Sequence, residues 1–136
     1  MEIVRRVTAM LSEAFKTGEV PDEVTDEIAA FVAPDVRMDF SRRVFNPATY
    51  DGHAGLRSLM TEIWGAWEDF SETNERLIDI GDKVLAFQTI AGRGRASGVQ
   101  VRAQSAVIWT FRDGQVVHVE VFSDRTEALK AAGVEG

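Results

Sequence analysis

The chain of 136 residues contains no cysteine, only two histidines and only three prolines. The absence of cysteine excludes disulfide frameworks, thiolate nucleophiles and cysteine metal sites. Because the two histidines also lack the His-x-x-x-His spacing, the sequence argues against a structural zinc site. We therefore expect a protein that carries neither a metal nor another cofactor.

Basic residues are also outnumbered, with 15 Lys and Arg against 22 Asp and Glu, a net charge of −7. This balance argues against a nucleic-acid partner, since affinity for phosphates comes largely from Lys and Arg. No apolar run reaches the roughly 18 residues of a membrane span, and the N-terminal segment is amphipathic rather than signal-like. We expect a soluble cytoplasmic protein with no membrane partner, and a single domain spanning residues 1–136.

Helical periodicity dominates the first half of the chain. Apolar residues spaced three or four apart predict three helices, from Ile3 to the Thr17-Gly18 pair, from Pro21 to Pro34 and from Leu56 to Trp67. The third has the largest apolar face.

Period-2 patterns dominate the second half. They predict one strand at Val36 to Phe40 and four later strands, Phe70 to Ile80, Lys83 to Gly92, Val99 to Arg112 and Gln115 to Ser123. An Ala- and Leu-rich segment then predicts a short C-terminal helix. Helices followed by a run of strands indicate an α+β fold with an antiparallel meander.

Several segments together resemble the nuclear transport factor 2-like (NTF2-like) superfamily, and within it the SnoaL-like, or polyketide cyclase-like, group. They are YDGHAGLRSLMTEIWGAWEDF, GDKVL, GRGRASGV and TFRDGQVVHVEVFSDRTEALKAAG. The resemblance implies a cone of three N-terminal helices packed on a strongly bent antiparallel sheet, with a mostly apolar pocket inside. The function it implies is binding or acting on a small, mostly apolar organic molecule, by acid/base isomerase, cyclase or dehydratase chemistry. The alternative is a non-catalytic ligand-binding or protein-association module.

Asp39 is the predicted catalytic residue. Ketosteroid isomerase-like members of the superfamily have a proton-shuttling carboxylate at the end of the first strand, which Asp39 in VRMDF matches. Burial in an apolar pocket would raise its pKa. The alternative is a solvated carboxylate, or one paired with the neighbouring Arg37, Arg42 or Arg43. Ketosteroid isomerisation itself is disfavoured, because Leu11 and Val107 replace that enzyme's hydrogen-bond donors.

The predicted substrate pocket consists of aromatic residues and of valines on the last strands. Its members are Tyr50, Trp64, Phe87, Val107, Trp109, Val119 and Val121. Alternation along the last strand places Val117, Val119 and Val121 opposite His118 and Glu120, and we expect the valines to face the cavity. A bulge near the Asp113-Gly114 turn would reverse that assignment.

A homodimer is the predicted assembly. Its premise is one apolar, non-aromatic sheet face formed by Val84, Ala86, Gln88, Ile90, Gln104, Ala106 and Ile108. Whether an ionisable side chain reaches the cavity would separate an enzyme from a binding module.

Overall fold

A computed structural model describes residues 2–17, 21–42 and 48–133. Its helices are α1 (Glu2–Thr17), α2 (Pro21–Ala29), α3 (Gly52–Ala66) and α4 (Arg125–Ala132). Its strands are β1 (Val32–Asp39), β2 (Thr49–Asp51), β3 (Trp67–Ile80), β4 (Lys83–Gly94), β5 (Gln100–Arg112) and β6 (Gln115–Phe122). The predicted helix end at Gly18 and the suggested Asp39 partner Arg43 lie outside the described residues.

The strands form one bent, open sheet in the order β2-β1-β6-β5-β4-β3. Strands β3 to β6 make the antiparallel meander that the sequence predicted. The sheet as a whole is mixed, because β1 runs parallel to β6, with Arg37 opposite His118 and Asp39 opposite Glu120. The expectation of a purely antiparallel sheet is therefore wrong at this one seam.

Two predicted boundaries also differ. Helix α2 ends at Ala29, and Pro34 lies inside β1, where the β1–β6 register shifts between Val32 and Arg37. A residue without a backbone N–H is tolerated at such an irregularity. Trp67 adopts an extended conformation as the C-cap of α3 and begins β3. The short strand β2 was not among the predicted strands.

Helices cover both faces of the sheet. We call the face towards α1, α2 and α3 the inner face, and the face towards α4 the outer face. The larger apolar cluster fills the inner side. On the outer side, Ala128 of α4 packs with Leu85, Ala106, Ile108 and Phe122. Helix α4 is held by a cap in which the Asp124 carboxylate accepts the Thr126 N–H at 2.8 Å.

The apolar face on which the dimer prediction rested does not exist. In the β4–β5 register, Ala86 is opposite Val107, while Leu85 is opposite Ile108. Val84, Ala86, Gln88 and Ile90 are thus on the inner face, and Ala106 and Ile108 are on the outer face under α4. The homodimer stays a prediction without this support. Within the described residues, no helix is long and apolar enough to cross a membrane.

Candidate functional site

A cavity of about 440 Å³ lies between the inner face and the helices. Every element except β2 and α4 contributes to its lining, which is mostly apolar. Representative residues are Val7, Leu11, Leu59, Met60, Phe70 and Ile90. The volume suits a small organic molecule, since ligand sites typically measure about 300 to 1,000 Å³.

Four of the predicted pocket residues line this cavity together. Strands β5 and β6 pair Val107 with Val121 and Trp109 with Val119, which forms a compact patch on the inner face. Trp109 is 8% exposed. Their contact with a ligand stays a prediction.

A bulge in β6 modifies the predicted alternation. The β5–β6 register shifts between Thr110 and Phe111, so that Phe111 is opposite Val116 and Thr110 is opposite His118. Val117 has no opposite residue in this register, and Val116 lines the cavity in its place. His118 and Glu120 occupy the outer face, with a distance of 3.7 Å between His118 Nδ1 and Glu120 Oε1.

The other three predicted pocket residues lie away from the cavity. Phe87, expected beside Trp109, is on the outer face because it alternates with Ala86 and Gln88, and its ring lies 4.9 Å below the Arg125 guanidinium. Trp64 stacks on Phe15 with ring centroids 4.3 Å apart. Tyr50 is buried, and its hydroxyl donates a hydrogen bond to Glu62.

Asp39 also lies outside the cavity lining. It shares the outer face with Arg37, and its carboxylate accepts the Ser41 N–H at 2.9 Å and lies 3.4 Å from Arg42. The hydrogen bonds from the Ser41 hydroxyl and backbone, together with Arg42, lower the pKa of Asp39 below its usual value. This direction is opposite to the expected one, because the surroundings stabilise the charged form. A catalytic role for Asp39 stays a prediction.

Among the described residues, Arg42 and Glu72 are the ionisable side chains that line the cavity, and the sequence interpretation missed Glu72 on β3. Glu72 borders both the cavity and a groove outside it between α1 and β3. Burial raises the pKa of Glu72 to about 7, although a hydrogen bond from Gln88 lowers it. Near neutral pH, this carboxyl is therefore close to half ionised.

A chain of neutral polar side chains holds Glu72 at the sheet. The Thr8 hydroxyl donates to the Val4 carbonyl at 2.9 Å and accepts from Asn74 Nδ2 at 2.9 Å. Asn74 Oδ1 in turn accepts from Gln88 Nε2 at 3.1 Å. Gln88 is only 2% exposed, so its orientation is fixed by these partners.

The backbone of Glu72 is also anchored to α1. The Ser12 hydroxyl accepts the Glu72 N–H at 3.1 Å and donates to the Glu72 carbonyl at 3.4 Å. We call Glu72, Gln88, Asn74, Thr8 and the adjacent Ser105 the polar corner of the cavity. Ser105 belongs to it because it is opposite Gln88 on β5.

Two buried polar atoms of the cavity wall have no hydrogen-bond partner within the part of the chain that the structure describes. They are the Ser105 hydroxyl oxygen and the indole nitrogen of Trp109. An unpaired buried polar group costs roughly 1 to 3 kcal/mol.

Sequence alternation carried a weak signal for the polar corner. Phe70, Glu72 and Asn74 share the inner face of β3, and Gln88 lies between the inward residues Ala86 and Ile90 of β4. Polar residues paired across two apolar strand faces are the feature to look for. Among the described residues, no three His, Asp or Glu side chains come together in a way that could hold a metal ion.

The sequence model of the SnoaL-like domain matches residues 7–119 of this chain. A segment of the bifunctional uridylyltransferase/uridylyl-removing enzyme of Rhodospirillum rubrum is 33% identical over 112 residues, which covers 82% of this chain and 10% of that enzyme. The chain thus spans about a tenth of the length of that relative.

Three solved structures share the fold. A hypothetical protein with a ketosteroid isomerase-like fold from Catenulispora acidiphila, in complex with trimethylamine, has a TM-score of 0.70 and 15% identity over 95% of this chain and 93% of that one. A protein described as a SnoaL-like polyketide cyclase, from a Jannaschia species, has a TM-score of 0.66 and 17% identity, with coverages of 97% and 94%. TerC co-crystallised with polyporic acid has a TM-score of 0.68 and 19% identity, with coverages of 94% and 96%.

Proposed function

The chain belongs to the SnoaL-like domain family, and from this membership we propose that it binds a small, mostly apolar organic molecule in the cavity. The observation that carries the proposal is the cavity of about 440 Å³, whose lining is mostly apolar and includes the polar residues Glu72, Gln88 and Ser105. A mostly apolar ligand with one hydrogen-bonding group matches this lining. Two structures of the same fold were obtained with small organic molecules, which supports this choice.

The geometry also suggests how such a ligand lies. Ser105 and Trp109 are four residues apart on β5, which corresponds to about 13 Å along a strand. Val107, between them, offers an apolar surface. A ligand lying along β5 therefore passes Ser105 at one end, the Trp109 ring at the other and apolar side chains between them.

Binding is tested with N-phenyl-1-naphthylamine, a neutral apolar probe whose fluorescence rises when it leaves water. We expect the wild-type protein to bind it and Ala103→Trp to bind it at least about tenfold more weakly, because Ala103 lines the cavity and a large ring there occupies the space. Gln100→Trp is the matched control, since Gln100 is exposed on the same strand and does not line the cavity.

Circular dichroism establishes that each variant is folded. Equal binding by all three proteins would place the probe elsewhere on the surface. No binding by folded wild-type protein would contradict the proposal.

Acid/base catalysis is the second candidate, and a specific observation favours it. A carboxyl whose pKa is about 7 inside a largely apolar cavity can both accept and return a proton near neutral pH. Glu72 fits this role better than Asp39, whose pKa is lowered and whose carboxylate is engaged by Ser41 and Arg42.

Hydrogen–deuterium exchange of a planar apolar ketone tests the second candidate. In deuterium oxide, a base in the cavity would remove a proton from the carbon next to the carbonyl of 1-tetralone and return deuterium, which nuclear magnetic resonance detects. Loss of this exchange by about 10² to 10⁴ in Glu72→Gln, with full activity in Asp39→Asn, is the expected result for Glu72 as the base. The reverse pattern would restore Asp39. Absence of exchange in every protein would favour the binding module.

A further inference from the structure

The polar corner contains a carboxyl group but no positive charge. The side chains that face Glu72 from the neighbouring elements are neutral: Thr8 on α1, Asn74 on β3, Gln88 on β4 and Ser105 on β5. The arginines of the groove outside, Arg5 and Arg76, leave the pKa of Glu72 unaffected, since only burial and Gln88 shift it. Within the part of the chain that the structure describes, Glu72 thus forms no ion pair with a basic side chain.

Arg42, the basic residue that lines the cavity among those described, is already paired with acidic side chains. Arg42 lies beyond the end of β1, four strands away from β3 in the sheet order. Its guanidinium is 3.4 Å from Asp39 and 3.9 Å from Glu120, and it covers the Phe122 ring at 4.3 Å. Of the described residues that line the cavity, none is therefore an unpaired cation, and a cationic ligand would supply the charge that Glu72 lacks.

The donor-to-acceptor direction of the hydrogen bonds in the polar corner favours an ionised carboxyl. Because the Thr8 hydroxyl donates to a helix carbonyl, its oxygen accepts from Asn74, and Asn74 then accepts from Gln88. With this direction, the Gln88 NH₂ group donates to Glu72 as well as to Asn74. A carboxylate accepts such a bond readily, so the network favours the charged form that burial opposes.

One aromatic ring is next to Glu72 along the inner face of β3. It belongs to Phe70, two residues before Glu72, and its centroid lies 5.6 Å from that of the Trp67 ring. The faces of such rings attract organic cations. The net charge of −7 also favours the approach of a cation over that of an anion.

We propose that the polar corner binds the positively charged nitrogen of an otherwise apolar ligand, so that the cavity is a site for an organic cation. This inference rests on the proposed binding function and specifies the charge of its ligand. Glu72 supplies the counter-ion, the Phe70 ring lies beside the charged nitrogen, and the valines of β5 and β6 contact the apolar body.

The affinity for a cation then depends on pH in a defined direction. Because burial raises the pKa of Glu72 to about 7, most of the empty protein is protonated at low pH and has to lose that proton to bind a cation. Only the ionised fraction is competent, so the affinity for a permanent cation should rise about 30-fold from about pH 5.5 to about pH 8.5. The affinity for a neutral ligand should not rise.

Two probes of nearly equal shape test the proposal. N-Methylquinolinium is a planar cation whose charge does not titrate, and 1-methylnaphthalene replaces its charged nitrogen by carbon. Calorimetric or fluorescence titration of the full chain at about pH 8.5 should show the cation bound on the order of tenfold more tightly than the neutral probe. Glu72→Gln should remove this preference while still binding the neutral probe.

Glu68→Gln is the matched control, because it removes the same charge from an exposed position of β3 and should leave the preference intact. A wild-type preference for 1-methylnaphthalene, or a cation preference that survives Glu72→Gln, would overturn the organic-cation inference and leave the cavity-binding function standing. Failure of folded protein to bind either probe would contradict both proposals.

Discussion

An ionised carboxyl inside an apolar cavity costs free energy in the folded chain that it does not cost in the unfolded chain. For Glu72 the pKa rises from 4.5 to about 7 on folding. A raised carboxyl pKa means that the folded state holds its proton more tightly than the unfolded state. The stability that protonated Glu72 contributes is therefore fully present below about pH 4.5, the pKa of this group in the unfolded chain. It is lost as the pH rises through about 7, the pKa in the folded chain.

Glu72→Gln should abolish this decline, because glutamine keeps the shape and the bond from Gln88 but has no charge. We expect the two proteins to have the same free energy of unfolding near pH 4. Near pH 8, the variant should be more stable than wild type by about 1 to 3 kcal/mol, a range that allows for solvent screening of the half-buried Glu72. Urea unfolding across this pH range measures the difference. Parallel pH curves for the two proteins would show that Glu72 is not desolvated.

Residue patterns predicted the wall of the candidate site better than its chemistry. Valines 107, 119 and 121 were placed correctly on the cavity side because strand alternation determines which way a side chain points. Glu72 was missed because its protonation behaviour depends on burial by α1, which no local pattern reveals. Phe87 was misplaced for a similar reason, since aromatic character does not distinguish two faces that are both covered by helices.

At the scale of elements, periodicity predicted the existence of the helices and of the meander, while the ends depended on contacts between elements. Trp67 continues the helical spacing of α3, yet it begins β3, where Arg95 donates two hydrogen bonds to the Trp64 carbonyl and one to that of Trp67. The parallel seam between β1 and β6 joins residues about 80 positions apart. Local sequence cannot specify a pairing at that distance.

The close approach of β3 and β4 gives an element-scale prediction at Gly92. A Cβ there would lie 2.4 Å from the Asp69 carbonyl oxygen and 2.9 Å from a ring carbon of Trp67, so the strands would have to separate. We expect Gly92→Ala to destabilise the protein by roughly 1 to 3 kcal/mol in urea unfolding. Gly65→Ala is the opposite control, because nothing lies within 4 Å of a Cβ at that position of α3, and alanine should stabilise a helix by up to about 1 kcal/mol. A neutral Gly92→Ala would mean that the two strands separate at little cost.

At the scale of the whole molecule, the cavity is formed by segments that are far apart in the sequence. Its lining extends from Val7 in α1 to Ser123 after β6, and its two sides meet where β1 pairs with β6 and where α1 packs on β3. The meander β3 to β6 can form from neighbouring strands, whereas the seam has to close a loop of most of the chain. No partly folded form that lacks β1 or α1 has a complete wall.

Because the cavity wall is complete only in the folded chain, a ligand bound in the cavity reports that the chain is folded. A molecule that needs walls from both ends of the chain discriminates between the native state and every partly open one, so each tenfold excess of its concentration over its dissociation constant adds about 1.4 kcal/mol to the free energy of unfolding. A cell rich in such a molecule would hold a longer-lived population of this protein than a cell that lacks it, with no change in the chain itself.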